Sequence, residues 1–117
     1  MRRARVAAVA LGAVAFAIAP AGLAASTPKP RTVKVGDDYF GPVSMKVRPK
    51  TKIVWKWLAY NGNTHNVKLT KRPKGVKKFA SAPATTDYTF KRTLYKKGKY
   101  TFICSFHEGM DMTITVK

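Results

Sequence analysis

Short runs that alternate apolar and polar residues, separated by glycine and proline, constrain the fold of this chain most. Residues 52–58, Lys-Ile-Val-Trp-Lys-Trp-Leu, are rich in β-branched and aromatic side chains and predict a strand with Trp55 and Trp57 on one buried face. Similar runs occupy residues 32–35, 43–47, 65–69, 88–91, 100–104 and 113–117. Beyond the N-terminal segment no longer window has helical periodicity. The pattern predicts an all-β sandwich of seven or eight strands.

Two stretches between these runs are predicted to be irregular. Residues 36–42 contain glycine, two aspartates and proline, and predict a turn with buried aromatic side chains. Residues 70–86 have no clean period and are interrupted by prolines and a glycine. We expect them to form a long connection with at most one short edge strand.

The N-terminal segment predicts an export signal. Residues 1–5 are basic, residues 6–19 are uninterruptedly small and apolar, and small residues allow cleavage after Ala24 or Ala25. The apolar run is shorter than the roughly 18 residues of a membrane-spanning helix, so a removable signal is favoured over a permanent anchor. We therefore expect a signal peptide (1–25), a Pro-rich linker (26–31) and a folded domain (32–117). After cleavage the mature protein is expected to lie in the periplasm, in the cell envelope or outside the cell, and to have no membrane-spanning segment.

Soft metal-ligating side chains are concentrated near the C-terminus. Cys104, the only cysteine, lies with His107, Met110 and Met112 between the last two predicted strands. A thiolate, an imidazole and a thioether form a donor set that favours copper. A lone cysteine cannot form an internal disulfide, and a metal would explain an unpaired thiol in an exported protein. The other histidine, His65, follows the Asn61-Gly-Asn63 loop and is the candidate for a fourth donor.

The segments around these residues resemble the small type 1 blue-copper proteins, the cupredoxins. The resemblance rests on Asn63-Thr-His65-Asn-Val67 and on Tyr100-Thr-Phe-Ile-Cys104-Ser-Phe-His107-Glu-Gly-Met110, and extends with weaker detail over residues 32–117. The spacing Cys-x2-His-x2-Met is most similar to the plastocyanin and amicyanin group. The resemblance implies a Greek-key sandwich that binds one copper ion, cycling between Cu(I) and Cu(II), and transfers single electrons between partners outside the cytoplasm.

The family pattern also implies roles for individual residues. His65, Cys104 and His107 would bind the copper, and His107 would be the more exposed ligand through which electrons enter or leave. Met110 would be the weak axial ligand. Asn66 would hydrogen-bond across from the His65 segment to the Cys104 loop, and would thereby orient the ligands.

A second methionine leaves the axial position open to an alternative. Met112 stands where the family has a glycine, two residues after the axial methionine, and is the alternative axial ligand. Register favours Met110, because Met112, Ile114 and Val116 then continue along one face of the last strand.

Counting donors excludes several other chemistries. A structural zinc site needs four cysteines or histidines, and this chain has one cysteine and two histidines. Multicopper oxidases and copper nitrite reductases need additional histidines, and a cysteine hydrolase needs a base and an orienting group beside the thiol. We therefore expect that the protein is not an enzyme. An exported copper carrier without an electron-transfer role remains an alternative.

Positive charge is the other dominant property of the sequence. Lysine and arginine number 23 against 5 acidic residues, and removal of Arg2, Arg3 and Arg5 with the signal leaves 20 against 5. Two basic stretches contain Lys68, Lys71, Arg72, Lys74, Lys77 and Lys78, and Lys91, Arg92, Lys96, Lys97 and Lys99. We expect these stretches to bind an acidic redox partner or an anionic surface, with salt-sensitive association. Basic side chains interleaved with aromatic ones can also bind single-stranded nucleic acid. Export would separate the protein from nucleic acid, so a β-domain that binds a polyanion is a more distant alternative.

Overall fold

The computed structural model describes residues 26–117, and the predicted signal peptide lies outside these residues. The described part contains eight strands and no helix. The strands are β1 (Arg31–Gly36), β2 (Tyr39–Gly41), β3 (Ser44–Val47), β4 (Thr51–Trp57), β5 (Lys68–Lys71), β6 (Thr89–Leu94), β7 (Gly98–Ile103) and β8 (Asp111–Val116). The predicted all-β sandwich of seven or eight strands is confirmed. No helix that could cross a membrane occurs in this part of the chain.

The strands form two four-stranded sheets whose spatial order differs from the order along the chain. One sheet has the order β2-β1-β4-β6 and the other has the order β3-β8-β7-β5. β1 pairs in parallel with β4, and β3 pairs in parallel with β8, whereas the other neighbours are antiparallel. The chain therefore crosses repeatedly between the sheets, which brings segments distant in sequence together at each end.

The core lies between the sheets and is formed by the alternate residues of each strand. In β4, Ile53 and Trp55 are completely buried and Trp57 is almost so, as the period-two pattern predicts. The Trp55 ring meets the ring of Phe102 in β7 edge-on, with centroids 4.9 Å apart. Burial of such a side chain contributes roughly 1.5–3 kcal/mol, and an aromatic pair adds about 0.5–1.5 kcal/mol. This contact joins the two sheets.

Three segments depart from the sequence prediction. The strand predicted at residues 65–69 begins only at Lys68 and ends at Lys71, as β5. The predicted turn at residues 36–42 contains the short strand β2, which pairs with β1. Only one of its aromatic residues is buried: Phe40 faces the core, whereas Tyr39 is 44% exposed because successive strand residues point to opposite faces. The strand predicted at residues 88–91 extends to Leu94, since it pairs with β4 along six residues.

The long connection between β5 and β6 has no strand of its own, in agreement with the sequence. It is attached to the domain by two isolated bridges, His65 with Ala84 and Lys68 with Ala80. Phe79 of this connection lies 6.0 Å from both Phe90 and Phe102, measured between ring centroids. The connection therefore covers an edge of the aromatic core.

The two ends of the sandwich are built from different segments. The parallel strands β1 and β4 both end beside residues 37–38 and 58–66, and residues 84–88 are hydrogen-bonded to this same region. Together with residues 104–110, between β7 and β8, these segments form what we call the loop end. β1 and β4 begin, and β3 and β8 finish, at the opposite end, which we call the far end.

Candidate metal centre

Three side chains with metal-binding atoms meet at the loop end. One nitrogen of His65, the sulfur of Cys104 and one nitrogen of His107 all lie within 4.8 Å of one another. His65 precedes β5, whereas Cys104 and His107 lie on the loop after β7, so the fold joins segments about forty residues apart in the sequence. The structure thus brings together the three donors that the sequence singled out.

The three donors differ in their exposure to solvent. His65 is completely buried and Cys104 is almost completely buried. The side chain of His107 is 25% exposed. An ion held here would be shielded from water except on the side of His107.

One nitrogen of the buried histidine has no hydrogen-bond partner among the described residues. This atom is Nδ1 of His65. The other ring nitrogen, Nε2, lies 2.9 Å from Oδ1 of Asp37, which can only accept the bond when ionised, so Nε2 carries the proton. A buried polar atom without a partner is costly, and the lone pair on Nδ1 is the form of imidazole that binds a metal. The arrangement therefore fits a metal ion on the Nδ1 side.

Asp37 is fixed in the turn after β1 by three donors. It accepts backbone N–H bonds from Gly62 at 2.8 Å and Asn63 at 3.0 Å, in addition to the bond from His65. These bonds, first that from Gly62, then those from His65 and Asn63, lower the pKa of Asp37 to about 2. The carboxylate is therefore ionised at neutral pH and holds the His65 ring in one orientation. Sequence reasoning missed Asp37, because an acidic pair in a turn has no specific signature.

The second histidine has oxygen neighbours at both ring nitrogens. Nδ1 of His107 lies 3.3 Å from Oδ1 of Asp38, and Nε2 lies 3.0 Å from the backbone carbonyl of Thr64. Asp38 reaches this position from a left-handed backbone conformation, with a φ of 66°. Binding of a metal through either nitrogen would replace one of these contacts. Asp38 and Thr64 were also missed, since both contacts depend on how the loops meet.

The loop from Cys104 to Met110 is closed by its own backbone. The N–H of Cys104 donates to the carbonyl of Met110 at 2.9 Å, and the N–H of Met110 donates to the carbonyl of His107 at 3.2 Å. Gly109, with a φ of 82°, supplies the left-handed residue that this tight return needs. The buried Met110 is therefore held beside Cys104 at the base of the loop.

The other methionine belongs to the sheet. Met112 lies in β8 directly opposite Phe102 of β7 and is buried with Ile114 and Val116. The predicted parity of the last strand is confirmed. Met112 is thus placed as a core residue of the sandwich, whereas Met110 lies on the loop that carries Cys104 and His107.

Asn66 connects the two segments that carry the donors. Its Oδ1 accepts a bond from the backbone N–H of Ser105 at 2.7 Å, and its Nδ2 donates to Oγ of Ser105 at 3.3 Å. These are contacts between the residue after His65 and the residue after Cys104. They fix the distance between the two segments.

Trp57 supports the backbone on which His65 lies. Its Nε1–H donates to the carbonyl of Ala84 at 2.9 Å and to that of His65 at 3.3 Å. His65 and Ala84 also exchange two backbone hydrogen bonds, at 2.9 and 3.0 Å. The sequence identified Trp57 only as a core residue; its polar role requires the bridge between distant segments and could not be read from strand parity.

The donor set, its burial and the unpaired nitrogen are those of a copper site, and the family comparison agrees. The sequence profile for "Copper binding proteins, plastocyanin/azurin family" matches residues 31–117. The chain belongs to this family of copper-binding proteins. Its cofactor is copper, and His65, Cys104 and His107 are positioned as a single-metal site. No curated protein sequence matches the chain.

Several solved structures have a similar fold. Amicyanin from Paracoccus versutus is 20% identical, with a TM-score of 0.64 over 74% of this chain and 80% of its own. A purple cupredoxin from Nitrosopumilus maritimus is 19% identical, with a TM-score of 0.62 over 74% of this chain and 99% of its own. The copper-containing nitrite reductase of Thermus scotoductus SA-01 is 22% identical, with a TM-score of 0.67 over 85% of this chain but 25% of its own. At these identities the likeness concerns the fold.

Proposed function

We propose that the protein is a mononuclear type 1 copper protein that transfers single electrons between redox partners outside the cytoplasm. The observation that supports this most directly is the convergence of His65, Cys104 and His107, with Nδ1 of His65 buried and unpaired. A thiolate with two imidazoles is the donor set of blue-copper electron-transfer sites.

In this proposal His65 would hold the copper through Nδ1, Cys104 would bind as a thiolate, and His107 would be the third ligand. Met110 would be the weak axial ligand, with Met112 as the alternative. Bound copper would supply the one-electron chemistry. The chain keeps the donors in place: Asp37 orients His65, and the Asn66–Ser105 contacts hold the loop against the His65 segment. Fixed donors reduce the rearrangement that accompanies a change of oxidation state.

Electrons would enter and leave on the side of His107. Its side chain is the most exposed of the three donors, and its neighbour Phe106 is 52% exposed. A partner that covers this surface would come close to the metal without opening the buried side of the site. The exposed lysines and arginines of residues 68–78 and 91–99 are proposed to guide an acidic partner or an anionic surface to the domain.

An electron carrier is favoured over an enzyme by the histidine count. The chain has two histidines, and both lie at this site. The nitrite reductase that shares the fold is matched over only a quarter of its length. No histidines remain in this sequence for a separate substrate-binding copper. Export, which the first 25 residues predict, would place the carrier outside the cytoplasm.

Copper carriage is the second candidate. It is favoured by the presence of two buried methionines, Met110 and Met112, near the loop, since thioethers suit Cu(I). In this case the protein would bind Cu(I) and deliver it without acting as an electron carrier.

The absorption spectrum of the copper-loaded protein separates the two. An electron carrier is expected to be intensely coloured when oxidised and to cycle reversibly in voltammetry. Replacement of Cys104 by Ser should abolish the colour while the fold, measured by circular dichroism, is retained. A colourless protein that binds only Cu(I) would support carriage, and a strong blue band in the Cys104→Ser variant would overturn the site assignment.

A further inference from the structure

The acidic residues of the chain are confined to the loop end. The sequence contains five, and each lies in or beside a segment of the loop end: Asp37, Asp38, Asp87, Glu108 and Asp111. Asp37 and Asp38 contact the two histidines. Asp87 adjoins Tyr88, whose carbonyl accepts the N–H of Trp57 at the end of β4. The far end of the sandwich therefore contains basic residues without acidic ones.

A cleft of about 370 Å³ is present at this far end. Five basic residues line it, together with the hydroxyl-bearing Thr51: Lys29, Arg31, Lys46, Arg48 and Lys117. β1 runs from Arg31 at the cleft to Gly36 beside Asp37, which is a span of roughly 17 Å at about 3.3 Å per residue. The cleft is thus separate from the metal centre, whereas residues 94–99 of the second basic stretch begin at the same far end, where Leu94 pairs with Thr51 and Gly98 pairs with Val116.

The backbone around the cleft is held by the ends of the strands. The N–H of Lys117 donates to the carbonyl of Val47 at 3.0 Å, where the parallel strands β3 and β8 finish. The hydroxyl of Thr51 donates to the carbonyl of Arg48 at 2.6 Å. The guanidinium of Arg31 reaches the carbonyl of Lys46 at 3.5 Å. The basic side chains therefore project from a fixed frame.

Among the described residues, no acidic side chain forms an ion pair with these cations. Within residues 26–117 the ion pairs closer than 4.0 Å are those of Asp37 with His65 and Asp38 with His107. Like charges gathered around a cleft repel one another, and they attract anions from solution. A multiply charged anion bound in the cleft would remove this repulsion.

We propose that the cleft binds phosphate groups. Guanidinium groups bind phosphate oxygens in a bidentate fashion, and lysines add point charges, so Arg31 and Arg48 with the neighbouring lysines match a multiply charged phosphate ligand. The volume lies within the range of about 300–1,000 Å³ that small ligands occupy in proteins. The phosphate belongs either to a soluble anion or to a lipid headgroup. With this end occupied, the metal centre at the other end faces away from the ligand.

The experiment is a titration of the reduced protein with inorganic pyrophosphate, followed by 1H–15N NMR. Saturable shifts are expected at residues 28–31, 46–51 and 116–117. The Arg31→Gln/Arg48→Gln variant should bind roughly ten- to hundredfold more weakly, which corresponds to about 1.4–2.8 kcal/mol for the two exposed guanidinium groups together. The Lys77→Gln/Lys78→Gln variant removes two exposed charges elsewhere and should bind within about twofold of the parent if localised contacts dominate.

A second experiment, the second arm of the test, decides whether the phosphate belongs to a soluble anion or to a lipid. Sedimentation with phosphatidylglycerol vesicles, compared with phosphatidylcholine vesicles, tests a lipid headgroup. Binding to the anionic vesicles that is lost in the Arg31→Gln/Arg48→Gln variant identifies the lipid, whereas binding of pyrophosphate alone identifies a soluble anion. Absence of saturable binding in both arms, or equal weakening by the Lys77→Gln/Lys78→Gln variant, would overturn the proposal.

The test is independent of copper chemistry. The Cys104→Ser variant, whose metal site is disabled, should bind pyrophosphate as the parent does, because the cleft and Cys104 lie at opposite ends of the domain. NMR dispersion checks that each variant is folded. The phosphate proposal can thus fail while the copper assignment stands, and the reverse is equally possible.

Discussion

The carboxylate of Asp37 accepts a hydrogen bond from Nε2 of His65 at 2.9 Å, while Nδ1 of the same ring is buried without a partner. A carboxylate that accepts a hydrogen bond from a metal-binding histidine fixes the tautomer of the ring and makes it a more basic ligand. The turn after β1 therefore takes part in the metal centre although it supplies no ligand in our assignment.

Replacement of Asp37 by Asn is expected to weaken copper binding. The neutral amide orients His65 less firmly and donates less electron density through the ring, so the affinity for Cu(II) should fall roughly 10–100-fold. Because Cu(II) loses more stabilisation than Cu(I), the midpoint potential should rise. Competition with a chelator measures the first quantity, and voltammetry measures the second.

Asp87→Asn is the matched control for this variant. It makes the same chemical change at an exposed acidic residue of the loop end, and Asp87 is in no ion pair among the described residues. Affinity and potential should stay near those of the parent. If both variants behaved alike, the effect would come from net charge and not from the contact with His65.

The same carboxylate predicts how the copper-free protein responds to acid. Hydrogen bonds from Gly62, His65 and Asn63 lower the pKa of Asp37 from 3.8 to about 2. A lowered pKa stabilises the folded state above pH 3.8, and this contribution is lost as the pH falls towards 2. Urea unfolding at a series of pH values should therefore show a steeper loss of stability in the parent than in Asp37→Asn over this range.

The Asn66–Ser105 contacts predict graded effects for two substitutions. Asn66→Ala removes both hydrogen bonds between the His65 segment and the Cys104 loop and should cost about 1–2 kcal/mol in the free energy of unfolding. Ser105→Ala removes only the longer bond, at 3.3 Å, and keeps the backbone N–H bond. Its cost should be less than half as large. Equal effects in urea unfolding would show that the backbone bond does not hold the loop.

Replacement of Met110 and of Met112 by leucine should have different effects on the copper site. Met110→Leu should shift the absorption spectrum and the potential, because it removes the proposed axial sulfur from the loop. Met112→Leu should leave both nearly unchanged and cost less than about 1.5 kcal/mol of stability, as a volume-conserving change in the core opposite Phe102. If Met112→Leu alone altered the spectrum, the axial assignment would pass to Met112.

The sequence predicted the parts of the site that depend on local spacing. Cys104, His107 and Met110 lie on one short loop, and strand parity alone places Cys104 and Met112 on the buried face. Asp37 could not be predicted in this way. It lies 28 residues from His65, and their contact exists only because β1 ends beside the loop that follows β4.

Strand parity likewise gave a correct but incomplete account of the fold. It predicted the buried faces of β4 and β8, since both follow from a period of two. It did not reveal β2, whose three residues are too few to show a pattern and form a strand by pairing with β1. The basic cleft was missed for a related reason: its residues come from separate strand ends that only the sheet topology brings together.

The two tryptophans of β4 provide a matched pair of substitutions. Both are buried on the same face, but Nε1 of Trp57 donates to the carbonyls of His65 and Ala84, whereas Nε1 of Trp55 has no partner among the described residues. Trp57→Phe should therefore loosen the His65 backbone, lower copper affinity and broaden the absorption band, in addition to destabilising the fold. Trp55→Phe also reduces core packing, but it should leave the spectrum and the affinity unchanged. Urea unfolding together with chelator competition separates these effects, and an unaltered copper affinity in Trp57→Phe would restrict that residue to a packing role.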